Sequence, residues 1–224
     1  TGRFINQPET ITRAQEMYVE RFGDLRPFHY EEISFRDLFG EVRANQKVDW
    51  SVLINYKYFE QILDKTVAFA VHADSSISGD ATGLAFGRVI GGKEVAHGQI
   101  WNAEHSILQE FDSIEAPVYI VDGVLRIVAR PGEVIDINLV QALVLELKRL
   151  IKIRYGSADW FESWQMILNW RKAGIIADKY SVDKKPDGYF EAKFALADER
   201  VYLCPHSTCD KEFRLLKRSV QNAK

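Results

Sequence analysis

The chain is short of several things, and each shortage excludes a class of protein. It has only 2 Cys in 224 residues, too few for a disulfide scaffold and in keeping with a reducing compartment. No apolar run approaches the ~18 residues of a membrane span, and the start lacks a signal-peptide pattern. There is no excess of charge of one sign. The 29 basic residues stand against 32 acidic ones, a net charge of −3, so the whole chain is not a basic coat for nucleic acid. No repeat and no low-complexity tract is present. The nearest approach to a phosphate loop is Gly87-x4-Gly92-Lys93, but Glu94 follows where Ser or Thr is needed, so nucleotide binding there is rejected.

What remains is ample material for a core. Apolar residues make up 46% of the chain and include 13 Phe, 9 Tyr and 5 Trp. Disorder is excluded, and one or two domains are expected. The first residue is Thr1 rather than Met, so the chain reads as an excised piece. Residues 1–65 read as a lead-in packed on a main domain, 66–224. In the lead-in, Ile11, Ala14, Met17, Tyr18 and Phe22 predict one helix, and the aromatic-rich stretch 50–63 predicts a second.

From Thr66 the period changes to two. Residues 66–73 read as a central strand covered on both faces, because every residue there tolerates burial. Thr82–Ile90 reads as a second strand and Gly91-Gly92 as a hairpin turn. Residues 117–129 read as a third strand, stopped by Pro131-Gly132. Asp136 reads as the N-cap of a helix with its apolar stripe at Leu139, Val140, Leu143, Val144, Leu147 and Leu150. Strand 153–158, helix 163–173 closed by Gly174, strand 176–182, helix 186–197, strand 201–203 and helix 210–220 complete the order. The fold class is therefore α/β: a three-strand meander, then alternating α and β, in a mixed sheet with helices on both faces. That order is the one expected of a ribonuclease H-like fold.

The residues of chemical interest are acids at strand ends. Asp74 closes the first, most apolar strand and Asp159 closes strand 153–158. If those strands are parallel neighbours, the two carboxylates lie side by side. Such a pair repels itself unless a divalent cation lies between, and hard oxygen donors suit Mg²⁺ or Mn²⁺. Two such ions can cleave a phosphodiester by activating water and stabilising the leaving oxygen. The plainer reading is that both acids only cap a turn and a helix.

Four ordered blocks bear on that choice: HADSSISGDATGLAFG, PVYIVDGVLRIVARPGEVIDINLV, SADWFESWQMILNWRKAGI and SVDKKPDGYFEAKFALADERVYLCPH. Together they resemble the nuclease domain of the large terminase subunit of tailed bacteriophages, over residues 66–218. The resemblance implies a metal-dependent endodeoxyribonuclease that cuts concatemeric viral DNA during genome packaging, in the host cytoplasm. It implies Asp74 and Asp159 as catalytic, metal-binding acids, and Asp80 as a nearby acid that either binds metal or fixes the turn. Implied partners are double-stranded DNA and, in the full motor, the portal protein and the small terminase subunit. The family's ATPase motor motif is absent here. Its third acid is expected beyond Lys224, with Asp210 a weak substitute and Glu212 on the same helix. The rival reading is a non-catalytic ribonuclease H-like module that docks on DNA or the portal ring.

Other signals carry less. Cys204, His206 and Cys209 offer three possible zinc ligands where a closed site needs four, so a surface turn is the better reading. His72 reads as a packed histidine rather than a base. Basic residues crowd the second half, among them Arg149, Lys152, Arg154, Arg171, Lys172 and Lys179. Part of that charge is expected to form a DNA-facing rim.

Overall fold

The computed structural model describes residues 9–42, 46–62, 66–74, 81–102, 104–105, 107–159, 164–180 and 187–207. Side chains 97–101 are excepted. The fold is mixed α/β. In chain order the elements are α1 (Glu9–Phe22), β1 (Glu32–Ile33), α2 (Phe35–Phe39), α3 (Tyr56–Glu60), β2 (Phe69–Asp74), β3 (Thr82–Asn102) and β4 (Ile107–Ile127). Then follow α4 (Ile137–Leu150), β5 (Ile153–Ala158), α5 (Trp164–Lys172), β6 (Ile176–Lys179), α6 (Asp187–Ala197) and β7 (Val201–Leu203). No helix among the described residues is long and apolar enough to cross a membrane.

Contacts divide the chain into two compact units. One comprises Thr1–Asp24, Val89–Val121 and Val182–Lys224; the other comprises Leu25–Arg88 and Asp122–Ser181. In the first, β7 pairs parallel with β4 at Tyr119–Val121. The apolar side of α1, Ile11 and Ala14, is buried with Ala195, Leu196, Val201 and Leu203. Arg200 is buried there with three acceptors around its guanidinium. Its Nη1 donates to Pro117 O at 2.6 Å and to Glu191 Oε1 at 3.1 Å, and its Nε donates to Asp198 Oδ2 at 3.3 Å.

The second unit holds the candidate acids. Its strands lie in the order β1-β4-β3-β2-β5-β6. Strand β2 is antiparallel to β3 and parallel to β5, and β5 is parallel to β6. One face of this sheet is the core. Phe69, Val71 and Ala73 of β2 and Leu84 and Phe86 of β3 are all buried. The Phe86 ring meets Phe28 edge-on at 5.9 Å, stacks on Phe59 at 6.2 Å and lies 6.4 Å from Phe69. Burying rings of this size contributes roughly 2–3 kcal/mol each. Asp136 caps α4 as its sequence predicts, accepting from Asn138 N at 2.9 Å. Val140, Leu143, Val144 and Leu147 of α4 are fully buried.

Helix α5 packs on β5 where Gly156 leaves room. A Cβ at Gly156 would lie 2.9 Å from the buried Trp170 ring and 3.1 Å from Ile175. Gly174, with φ of 81°, closes α5 as expected. The other sheet face differs from expectation. Ala70, Tyr155 and Ile176 on it are exposed, so β2 is not covered on both faces among the described residues. Ala70 is small enough to tolerate either environment, which is why its apolar character misleads.

The largest correction concerns Gly91-Gly92. These residues do not turn the chain: β3 runs through them unbroken and the connection comes at 103–106. The glycines serve a close approach. A Cβ at Gly92 would lie 2.4–2.8 Å from the Glu115 side chain, and Gly91 holds φ of 142°, where side chains are strained. Residues 50–63 read as one helix; the described part, 50–62, holds a short 3₁₀ turn (Trp50–Val52) followed by α3. Strand β1 and helix α2 were not foreseen, and the helix expected at 210–220 lies outside the described residues.

Candidate active site

The acid pair is built by the parallel pairing of β2 and β5. In that ladder His72 faces Ser157 and Ala73 faces Ala158. The pairing extends one step further, because Asp159 N donates to Ala73 O at 3.2 Å. Asp74 and Asp159 therefore stand at adjacent positions where two parallel strands end. Asp74 is exposed and Asp159 half-buried. Across from Asp74 on β3 is Gly83, where an added Cβ would only reach van der Waals contact with Asp74 Cβ, at 3.9 Å. A glycine there leaves that flank of the carboxylate without a side chain.

His72 lies two residues before Asp74, on the same side of β2. Its Nδ1 is 2.9 Å from Ser157 Oγ. Burial holds its pKa below the ordinary histidine value, while the negative charges of Asp74 and Asp159 pull it upward. Both carboxylates therefore lie close enough to His72 to act on its charge. The hydrogen bond to Ser157 agrees with the sequence reading of a packed histidine.

The carboxyl ends of parallel strands are where α/β sheets present ligand-binding groups. Asp74 and Asp159 supply hard anionic oxygens on one edge of a site, which fits part of the coordination sphere of Mg²⁺ or Mn²⁺ and leaves the remaining positions to water and substrate. Among the described residues no group of three His, Cys, Asp or Glu side chains is placed to hold a metal ion. Asp80, Asp210 and Glu212 lie outside the described residues. So does Cys209; Cys204 and His206 are buried. The sequence Gly87-x4-Gly92-Lys93 lies inside β3, with no loop and no helix after it, so it is not a phosphate loop.

Two acids escaped the sequence reading. Asp178 on β6 is in register with Ser157, and its Oδ1 accepts from Lys179 N at 2.8 Å and from Arg171 at 3.4 Å. It lies mid-strand, with no chain break to draw attention. Asp122 is fully buried in β4. Its Oδ1 accepts from the Tyr58 hydroxyl at 2.6 Å and pairs with Arg88 Nη2 at 3.2 Å. Its only sequence signal was a charge inside the strand motif PVYIVDGV.

No family model matches the chain, and no curated protein matches it. Among solved structures it is similar to the crystal structure of the HK97 bacteriophage large terminase, with 13% sequence identity and a TM-score of 0.40. The similarity covers 64% of this chain and spans 31% of that one.

Proposed function

We propose that this chain is a ribonuclease H-like, divalent-metal-dependent endodeoxyribonuclease that hydrolyses phosphodiesters in double-stranded DNA during viral genome packaging. The observation that carries the reading is the juxtaposition of Asp74 and Asp159 at the ends of β2 and β5. The order β4-β3-β2-β5-β6, antiparallel between β3 and β2 and parallel from β2 to β6, supports a ribonuclease H-like sheet: a meander followed by parallel crossovers. The four ordered sequence blocks that resemble phage terminase nuclease domains supply the packaging context. From that resemblance follow the portal and small-subunit partners in a full motor.

In this reading Asp74 and Asp159 hold one or two Mg²⁺ or Mn²⁺ ions, with Asp80 a further ligand. When bound, the metal lowers the pKa of a coordinated water and neutralises charge on the phosphate. The protein's own part is positional. The register of β2 against β5 fixes the two carboxylates, Gly83 leaves the flank of Asp74 clear, and the Ser157 contact fixes the ring of His72 beside them. Specificity for base sequence is low, because the sequence carries no base-reading motif.

The test is nicking of supercoiled plasmid with Mn²⁺. Wild type nicks, and Asp74→Asn, with an unchanged melting temperature, does not. Equal nicking by the two proteins overturns the reading. A folded wild type that binds DNA or a portal ring but never nicks would favour the non-catalytic module.

A further inference from the structure

Strand alternation decides which residues share a sheet face with the acid pair. Phe69, Val71 and Ala73 are buried in the core, so Ala70, His72 and Asp74 share the other face of β2. The ladder carries that face onto β5 and β6. Ala70 is in register with Tyr155, His72 with Ser157, and Tyr155 with Ile176. Ala70, Tyr155 and Ile176 are exposed, Tyr155 by 47%. Helix α5 covers the opposite face, where a Cβ at Gly156 would meet the Trp170 ring. Lys172, at the end of α5, and Lys179, in register with the buried Ala158, belong to that covered side.

Arg154 stands on the acid face, and a slip in the ladder puts it there. Phe69 faces Ile153 but Ala70 faces Tyr155, so Arg154 is an extra residue in β5, a β-bulge. A bulge re-aims a side chain that strict alternation would send to the other face. The ring contact shows the result. The Arg154 guanidinium carbon lies 5.8 Å from the centre of the Tyr155 ring, within the cation–π range of about 6 Å. Arg154 is exposed, and among the described residues it makes no ion pair. From this pair β5 runs on to the acids. Tyr155, Ser157 and Asp159 are alternate residues on one face, and Asp159 lies about 13 Å along the strand from Tyr155. At about 3.4 Å of duplex axis per nucleotide, that span matches roughly four nucleotides of one strand.

Resting on the reading of the acid pair as a phosphodiester-cleaving site, we infer that Arg154, steadied by the Tyr155 ring, is a DNA-backbone contact on the face that carries Asp74 and Asp159. It holds a phosphate of the strand being cut, roughly four nucleotides from the bond that the acids address. A guanidinium matches a phosphate in charge and in the geometry of its donors. The contact adds affinity and register along the strand without reading bases.

The test measures binding of the full chain to a fluorescently labelled DNA duplex by anisotropy, in EDTA so that no cleavage occurs, over a series of salt concentrations. Arg154→Gln should weaken binding several-fold on duplexes of unrelated sequence and lower the slope of log affinity against log salt by about 1. Arg154→Lys should restore the slope. Lys172→Gln removes the same charge from the helix-covered side and should match wild type. Tyr155→Leu should fall between wild type and Arg154→Gln. Wild-type affinity and slope in Arg154→Gln overturn the contact. An equal loss in Lys172→Gln also overturns it, because the effect is then one of net charge. So does a lowered melting temperature in Tyr155→Leu at wild-type affinity, which assigns this face to packing within the chain. Failure of the reading beneath shows differently. Nicking that survives Asp74→Asn, with a reduced slope in Arg154→Gln, keeps the DNA contact and discards the acid-pair assignment. Asp74-dependent nicking with unaltered binding in Arg154→Gln discards the contact alone.

Discussion

Asp74 and Asp122 are the same residue type on two strands of one sheet, in opposite surroundings. Asp74 ends its strand, exposed, with a glycine opposite and a second carboxylate in the next register position. Asp122 lies inside β4 with no exposed surface, enclosed by Tyr58 and by Arg88. The Arg88 guanidinium in turn lies 5.0 Å over the Phe69 ring. The Asp122 carboxyl has its pKa pushed up to about 6 by burial against the opposing pull of Arg88 and Tyr58. A perturbed carboxyl is often taken as a mark of a functional site. Here the mark points to a structural acid, because the carboxyl is fully buried and its Oδ1 is taken by Tyr58 and Arg88. In the proposed reading, a carboxylate at an open strand end is the better guide in this sheet.

The contrast breaks most visibly if activity is measured first. Asp74→Asn should abolish metal-dependent nicking and leave stability within about 0.5 kcal/mol, as for other exposed positions. Asp122→Ala should do the reverse in kind: it strands Arg88 as a buried cation and should cost about 3–5 kcal/mol in chemical denaturation. Comparable destabilisation by both substitutions would erase the distinction. Asp159→Ala sharpens it further. Calorimetry should show Mn²⁺ affinity falling by more than the roughly 10–100-fold cost of losing an outer-shell partner, whereas Asp122→Asn should leave the isotherm unchanged.

The smallest expected effect is a pH dependence of stability. The folded-state pKa of Asp122, about 6, lies above its ordinary 3.8, so the native state holds this proton more tightly than the unfolded chain does. The contribution to stability is therefore complete below 3.8 and is lost as pH rises through about 6. Melting temperature should show a downward component between about pH 4 and pH 6 in wild type that is missing in Asp122→Asn. Identical profiles for the two proteins would contradict the assignment.

Much of this arrangement was legible in the sequence, for reasons that differ by element. Strands 153–158 and 201–203 emerge with the boundaries expected, and α4 follows its cap at Asp136, because a strong local signal coincides with burial. The acid pair was legible because each acid ends an apolar run, and a run's end is visible in one dimension. The glycines of β3 were misread because the same residue serves a turn and a close cross-strand approach, and only the position of Glu115 decides between them. Two-residue β1 is invisible alone. It exists through pairing with β4, reinforced by the Arg126–Glu32 ion pair. The contact of Lys179 with the Trp164 ring was equally hidden, since Lys179 reaches that ring only after β6 has been laid beside β5.

The central claim is that Asp74 and Asp159 together hold the catalytic cation. The most direct measurement is anomalous scattering from a crystal of the protein soaked in Mn²⁺. The account predicts a manganese peak within coordination distance of carboxylate oxygens from both residues, lost in Asp74→Asn. A peak held elsewhere with this pair bare, or one that persists unchanged in Asp74→Asn, would contradict it.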